Sequence, residues 1–234
     1  MFPVAILAGG LATRLRPLTQ SRPKALLPLA GRPFIHWQLD LLAQQGVTDV
    51  VLCLGFLGNQ IRAAVGDGAG FGIRVRYSFD GETLLGTGGA LKHALPMLGE
   101  AFFVLYGDSY LECSFAAVQA AYEARRLPAL LTVFRNDARL EQSNVLWREG
   151  QIREYNKHAP RPEMAHVDYG LGIVSAQAIA AWPDGTVFDL SDLYYQLSVR
   201  GELAGVEISH RFYEIGSPHG IEETELHLSA RPVL

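Results

Sequence analysis

The chain is poor in cysteine: Cys53 and Cys113 are the two it has in 234 residues. Two thiols make neither a disulfide framework nor a four-ligand zinc site. Cys53 sits in the apolar run Val50-Val51-Leu52-Cys53-Leu54 and reads as a buried thiol. No apolar stretch approaches the roughly 18 residues of a membrane helix, so no membrane partner is expected. Phe2 to Ala12 lacks a preceding positive region and runs into Thr13-Arg14-Leu15-Arg16, so it reads as mature structure rather than a leader, and the cytoplasm is the expected compartment. Basic charge is not in excess: 20 Lys and Arg against 24 Asp and Glu leave a net charge of −4. That excludes a general electrostatic nucleic-acid binder. The seven histidines show no H-x3-H or H-E-x-x-H spacing, which leaves zinc chemistry unsupported, and His36 beside Trp37 reads as structural. A P-loop is missing, and Gly86-Thr87-Gly88 fails as a dinucleotide fingerprint because its sixth position is Leu91.

Apolar residues, at 49%, and charged residues, at 19%, are those of a folded chain rather than a disordered one. Glycine is the abundant residue, 24 in all, clustered at Gly9-Gly10, Gly66 to Gly72 and Gly86 to Gly89. The run Phe2 to Leu7 reads as a buried strand ended by Ala8-Gly9-Gly10. Pro17, Pro23, Pro28 and Pro33 then break the chain, so residues 8 to 32 read as a long ordered loop, with Pro33 opening a helix at its first position and Gly46 closing it. Strands are expected at 49–54, 73–79, 101–106 and 129–135, alternating with helices near 57–65, 90–98 and 115–126. That alternation is the α/β pattern with a mostly parallel sheet. After about residue 140 the pattern changes to a hairpin (144–148 with 151–155), a strand at 169–174, two helices, a strand pair around 204–215 and a helix from Pro218, read as a lid and sheet extension.

Paired glycines after a buried strand let backbone N–H groups approach an anion closely. Arg14 adds a planar donor fork suited to phosphate, and Lys24 follows ten residues later on a proline-held loop. Two cations and a glycine turn point to a polyphosphate site. An ordinary strand–loop connection with solvated charges accounts for the same residues.

The string Leu7-Ala8-Gly9-Gly10-x-x-Thr13-Arg14-Leu15-x-Pro17-Leu18-Thr19, followed by Pro23-Lys24, Leu27-Pro28 and Gly31-Arg32-Pro33, resembles the signature of the sugar-1-phosphate nucleotidyltransferases. Further matches stand at Leu85-Gly86-Thr87-Gly88-Gly89-Ala90, Gly107-Asp108-Ser109 and Phe212-Tyr213-Glu214-Ile215-Gly216-Ser217-Pro218. The resemblance is strongest to the heptose- and mannose-type guanylyltransferase group. It implies a Rossmann-like three-layer sandwich of the GT-A-like nucleotidyltransferase kind. Residues 1–234 would form one domain, with 1–140 as nucleotide-binding core and 141–234 as sugar-phosphate-binding extension. No acyltransferase or β-helix domain is expected beyond it.

The implied substrates are a nucleoside triphosphate, GTP first, and a heptose- or mannose-type 1-phosphate. Uridylyl, thymidylyl or cytidylyl transfer to another sugar 1-phosphate, or a silent nucleotide-sensing role, are the alternatives. The nucleophile is already an anion, so the chemistry needs alignment and charge neutralisation rather than a general base. The resemblance assigns catalysis to Arg14, Lys24 and Asp108, and the nucleotide to Leu7, Ala8, Gly9, Gly10, Thr13, Arg14, Thr87 and Gly88. The sugar phosphate falls to Lys24, Gly107, Lys157, Asp168 and Gly170, and Mg²⁺ or another divalent cation to Asp108 and Glu214. Asp108 could instead cap the next helix, and Glu214, where the family usually has Asp, could end a strand and cap the helix after Pro218. Lys157 sits about one residue short of the family spacing, which leaves His158 as a rival, and Asp168 could be a strand-edge turn residue. Ala12 stands where many members have Gly and is strained by about 1 kcal/mol if its φ is positive. A monomer or a homodimer is compatible with these motifs.

Overall fold

The structure, a computed structural model, describes residues 1–136 and 142–231. The expected boundary at 140/141 lies outside the described residues. In chain order the strands are β1 (Val4–Leu7), β2 (Pro28–Leu29), β3 (Arg32–Pro33), β4 (Asp49–Leu54), β5 (Arg74–Phe79), β6 (Ala101–Tyr106) and β7 (Ser109–Tyr110). They continue with β8 (Ala129–Arg135), β9 (Val145–Arg148), β10 (Gln151–Tyr155), β11 (His166–Ser175), β12 (Leu203–Ile208) and β13 (Tyr213–Glu214). The helices are α1 (Phe34–Gln44), α2 (Gly58–Val65), α3 (Gly86–Ala94), α4 (Phe115–Arg125), α5 (Ala176–Ala180), α6 (Leu190–Val199) and α7 (Pro218–Ser229).

One mixed sheet runs β10-β9-β11-β6-β1-β4-β5, with β8 joining β11 and β12 joining β8. Its β6-β1-β4-β5 half is parallel, as is the β8-β12 pair, while β11 pairs antiparallel with both β6 and β8. Side chains alternate faces along a strand, and the two cores follow from that. Val4, Ile6, Val50, Leu52, Phe103 and Leu105 pack with Ile35, Leu39 and Ile61 of α1 and α2. Ala5, Val51, Cys53, Phe102 and Val104 pack with Leu91, Leu193 and Leu197 of α3 and α6. The expected three layers are therefore present, each large buried side chain contributing about 1.5–3 kcal/mol. No helix among the described residues is long and apolar enough to cross a membrane.

A third cluster positions the site. Leu15, Leu27 and Leu29 from the proline-rich loop pack on Phe34, Trp37 and Leu41, and on Ile215 and Leu228 from the end of the chain. The loop is therefore not featureless: it holds short 3₁₀ turns at Thr13–Leu15 and Lys24–Leu26, and then β2.

Two expected boundaries and one expected pairing differ. Pro33 is the residue before α1 rather than its first, because it pairs with Pro28 in the β2–β3 ribbon. α3 begins at Gly86 rather than near Ala90, because the Phe188 carbonyl accepts from Gly88 N at 3.0 Å and Gly89 N at 3.3 Å and supplies the acceptors its first turn lacks. The strands near 204–215 do not pair with each other: β12 runs parallel to β8, and β13 pairs antiparallel with β7.

Candidate active site

A cavity of about 250 Å³ opens at the carboxyl ends of the parallel strands, where open α/β sheets place their ligands. Leu7, Ala8, Gly9 and Gly10 line it from the end of β1, and Tyr106, Gly107 and Asp108 from the end of β6. A neighbouring recess of about 370 Å³ is lined by Thr13, Arg14 and Gly216 and shares Ala12, Lys24 and Leu84 with it. Arg14 is exposed and makes no ion pair among the described residues, so its guanidinium is available to a ligand.

Close backbone packing explains the glycines at the strand ends. A Cβ on Gly9 would stand 2.9 Å from Gly55 N, and one on Gly107 would stand 2.7 Å from Leu7 O and 2.9 Å from Ala8 Cβ. Ala12 does adopt the left-handed conformation, at φ 46 and ψ 44. Its carbonyl is held by Thr19 Oγ1 at 2.8 Å and Leu15 N at 3.1 Å, which fixes the turn that carries Arg14.

Lys24 and Asp108 meet: Lys24 Nζ donates to Asp108 Oδ2 at 2.5 Å, with both side chains about a quarter to a third exposed. Asp108 caps no helix, since β7 follows it and Ser114 caps α4. The β13–β7 pairing sets Glu214 opposite Ser109, and Ile215 N donates to Asp108 O at 2.9 Å. Asp108 Oδ2 and Glu214 Oε2 lie 3.5 Å and 2.6 Å from where a Gly216 Cβ would be. The carboxylate of Glu214 also accepts from Gly216 N, and from Ser217 Oγ at 2.7 Å. Ser217, not Glu214, caps α7. Among the described residues no cluster of three or more acidic, histidine or cysteine side chains could cage a metal. Two carboxylates beside a phosphate-sized recess fit Mg²⁺, which binds through one or two carboxylates and takes its other ligands from water and substrate phosphates.

Next to the Asp108 turn, β11 is interrupted by a register shift between Asp168 and Gly172, and Gly170 there has a φ of +102. A Cβ on Gly170 would stand 3.2 Å from Ser109 Oγ, so the bulge lies directly behind the Asp108 turn. Gly170 N donates to Asp168 Oδ1 at 2.8 Å, and Tyr106 Oη to Asp168 Oδ2 at 3.4 Å. Burial raises the Asp168 carboxyl to about 6, opposed by those hydrogen bonds and the Lys157 charge. Lys157 also acts on Asp189, whereas His158 Nε2 pairs with Asp192 Oδ1 at 3.2 Å.

One expected nucleotide contact, Gly88, stands elsewhere. A Cβ on Gly88 would stand 2.7 Å from Phe188 Cζ and closer still to Cδ2 and Cε2, so the space beside Gly88 is filled by Phe188 and not by a nucleoside. Gly88 is absent from the cavity lining, where Gly86, Thr87 and Ala90 stand instead. Thr87 lines the cavity, and its Oγ1 accepts from Leu190 N at 2.7 Å.

The family model described as nucleotidyl transferase matches residues 4–144. The chain belongs to the nucleotidyl transferase family. It is 32% identical over 236 residues to the N-acetylmuramate alpha-1-phosphate uridylyltransferase of Caulobacter vibrioides, covering 96% of each chain. It is 43% identical over 113 residues to the like-named protein of Neisseria meningitidis serogroup B, an alignment spanning 48% of this chain and about half, 49%, of that relative. Among solved structures, HddC from Yersinia pseudotuberculosis in complex with GMP-PN superposes with a TM-score of 0.82 at 24% identity, covering 97% of this chain and 100% of that one, a likeness of fold.

This nucleotidyl transferase site includes residues that the motifs did not announce. Asp80, half-buried, lines the cavity beside Leu84. Tyr106 joins Asp168 to the cavity. Asp80 follows β5 directly, as Asp108 follows β6 closely, so an acid at a strand's carboxyl end was the available signal. Cys53 is buried as expected, Cys113 is buried too, and burial pushes each thiol to about 12. His36 is structural, packed on Phe71 and bonded to Ala64 O at 3.2 Å.

Proposed function

We propose that this chain is a sugar-1-phosphate nucleotidyltransferase acting on a nucleoside triphosphate. The Lys24–Asp108 pair at the mouth of a glycine-walled cavity, with Arg14 on the adjoining recess, carries that reading. A sugar-phosphate oxygen attacks the α-phosphorus, an O–P bond forms, the bond to the bridging oxygen breaks, and pyrophosphate leaves with its electrons. Lys24 neutralises the charge that builds at the α-phosphate and orients the incoming sugar phosphate. Arg14 and the Gly9–Gly10 backbone hold the β- and γ-phosphates. Asp108 would be the principal ligand for a divalent cation, and Glu214, its carboxylate fixed by the Gly216–Ser217 turn, would assist that cation directly or through water. The cation supplies charge neutralisation on the phosphates when bound. Lys157 and Asp168 face the sugar end, one toward phosphate and the other toward hydroxyls.

The motifs pointed to GTP with a heptose- or mannose-type sugar. The relative aligned over 96% of both chains is instead a uridylyltransferase, which supports UTP and N-acetylmuramate 1-phosphate as the pair. Pyrophosphate release from UTP, dTTP, GTP, CTP and ATP, each against a set of sugar 1-phosphates, tests this. UTP with N-acetylmuramate 1-phosphate is expected to lead. GTP leading with mannose or heptose 1-phosphate restores the first expectation.

A further inference from the structure

A glycine stands in the first turn of α7 where no positive φ asks for it. Gly220 is the third residue of that helix, is buried, and has ordinary helical backbone. Glycine is the poorest helix former after proline, so alanine would ordinarily stabilise a helix there. What needs the glycine is the side chain lying on it. A Cβ on Gly220 would overlap Glu214 Oε1 and stand 2.6 Å from Glu214 Cδ and 2.6 Å from Glu214 O. Gly220 N donates to Ser217 Oγ at 2.9 Å, and Ser217 Oγ donates in turn to Glu214 Oε1 at 2.7 Å. One turn further along the same face, buried Thr224 donates from Oγ1 to Glu214 O at 2.9 Å. On the other side Gly216 N donates to Glu214 Oε2, and a Cβ on Gly216 would stand 2.6 Å from that oxygen and 3.5 Å from Asp108 Oδ2.

The carboxylate of Glu214 is thus bracketed by two glycines. Gly216 keeps open the space shared with Asp108, and Gly220 keeps open the space against the helix. A glutamate is one methylene longer than an aspartate, and that length has to be taken up somewhere. Resting on the metal-assisting role proposed above for Glu214, we infer that Gly220 is a positioning residue matched to the length of that side chain. Its missing Cβ is the room into which the longer side chain folds, so that Ser217 holds Oε1 and Oε2 stays on the Asp108 side. An aspartate is too short to fill this seat. A glutamate facing any side chain at 220 is pushed off Ser217. Losing the groups that orient a metal-binding side chain costs about 10–100-fold in metal affinity.

The test is UTP binding by calorimetry, without sugar phosphate, at a series of Mg²⁺ concentrations. The proteins are the wild type, Gly220→Ala, Glu214→Asp and the double variant. Gly220→Ala is expected to raise the Mg²⁺ concentration for half-maximal UTP binding by about tenfold or more. In the Glu214→Asp background the shorter side chain no longer overlies Gly220. The same methyl is then expected to move that midpoint by about twofold at most, the scatter of uncoupled sites. If Gly220→Ala does not fold, adding Glu214→Asp is expected to restore folding; a double variant that also fails to fold puts the collision at the Glu214 backbone and overturns the inference. So does an unchanged midpoint in Gly220→Ala, or an equal shift in both backgrounds, since either confines Gly220 to the packing of α7. A wild type whose UTP binding is indifferent to Mg²⁺ overturns the metal-assisting role of Glu214, and the inference with it. One that binds no nucleoside triphosphate overturns the proposed function itself.

Discussion

Replacing Gly88 by alanine separates two explanations of one glycine. If the glycine leaves room for a nucleoside, the added methyl raises the KM for nucleotide and leaves stability alone. The structure instead fills that space with Phe188. Phe188 is 5% exposed, and its ring is stacked on Trp182 with centroids 4.0 Å apart and planes 3° from parallel. Its backbone is bonded to Leu85 O and to Gly88 N. The ring cannot rotate away without breaking the stack, so the methyl forces it out of a filled site. Overpacking of this kind costs about 1–3 kcal/mol. For a chain of this size that is a fall in Tm of about 2–4 °C per kcal/mol. Phe188→Ala alone opens a cavity at a cost of about 3–5 kcal/mol. In the double variant the methyl enters vacated space, so the two losses are expected to fall short of additive by about 0.5–3 kcal/mol. Thermal unfolding of the four proteins, with nucleotide KM read in parallel, completes the cycle. Additive losses, or a Gly88→Ala protein with wild-type Tm and a raised KM, refute this packing.

Other perturbations have equally definite outcomes. Asp108→Asn keeps the shape of the turn and removes the charge opposite Lys24; turnover is expected to fall by orders of magnitude with a small change in Tm, and near-normal turnover at saturating Mg²⁺ sinks the assignment. Glu214→Gln is expected to shift the Mg²⁺ titration to higher concentration, whereas an unchanged titration with a lower Tm confines Glu214 to holding its turn. Ala12→Gly relieves a left-handed alanine and is expected to stabilise by about 1 kcal/mol at most, a rise in Tm of about 2–4 °C; a fall in Tm argues against strain there. For Asp168 the folded pKa, about 6, stands above the ordinary value of 3.8, so the native state holds the extra proton between them. Stability is therefore expected to fall as pH rises from about 4 to about 6, and Asp168→Asn to flatten that slope, as Tm against pH will show.

The strands at Asp49–Leu54 and Ala101–Tyr106 were legible because burial on both faces makes them continuous apolar runs. β2, β3 and β7 were not, since two residues carry no period, and β13 was expected within 204–215 but with the wrong partner, because such pairing is set by distant segments meeting in space. The same limit hid the β12–β8 pairing, whose partners are far apart in sequence. Lys24 and Asp108 stood within motifs, but their 2.5 Å contact depends on the Leu15–Leu27–Ile215 cluster that presses the loop down. Gly86 to Gly89 misled in one respect: glycine can be required by an anion or by a neighbouring side chain, and sequence does not distinguish them. Phe188, about a hundred residues away, decides it.

The central claim is that Lys24 and Asp108 flank transfer at the α-phosphorus, and the fate of labelled phosphate tests it most directly. UTP labelled at the α- or the γ-position is incubated with N-acetylmuramate 1-phosphate and Mg²⁺, using the wild type and Lys24→Ala. The α-label is expected in the nucleotide sugar and the γ-label in pyrophosphate, with Lys24→Ala binding UTP but forming little of either product. Release of γ-label as inorganic phosphate, its appearance on the sugar, or full transfer by Lys24→Ala contradicts the account.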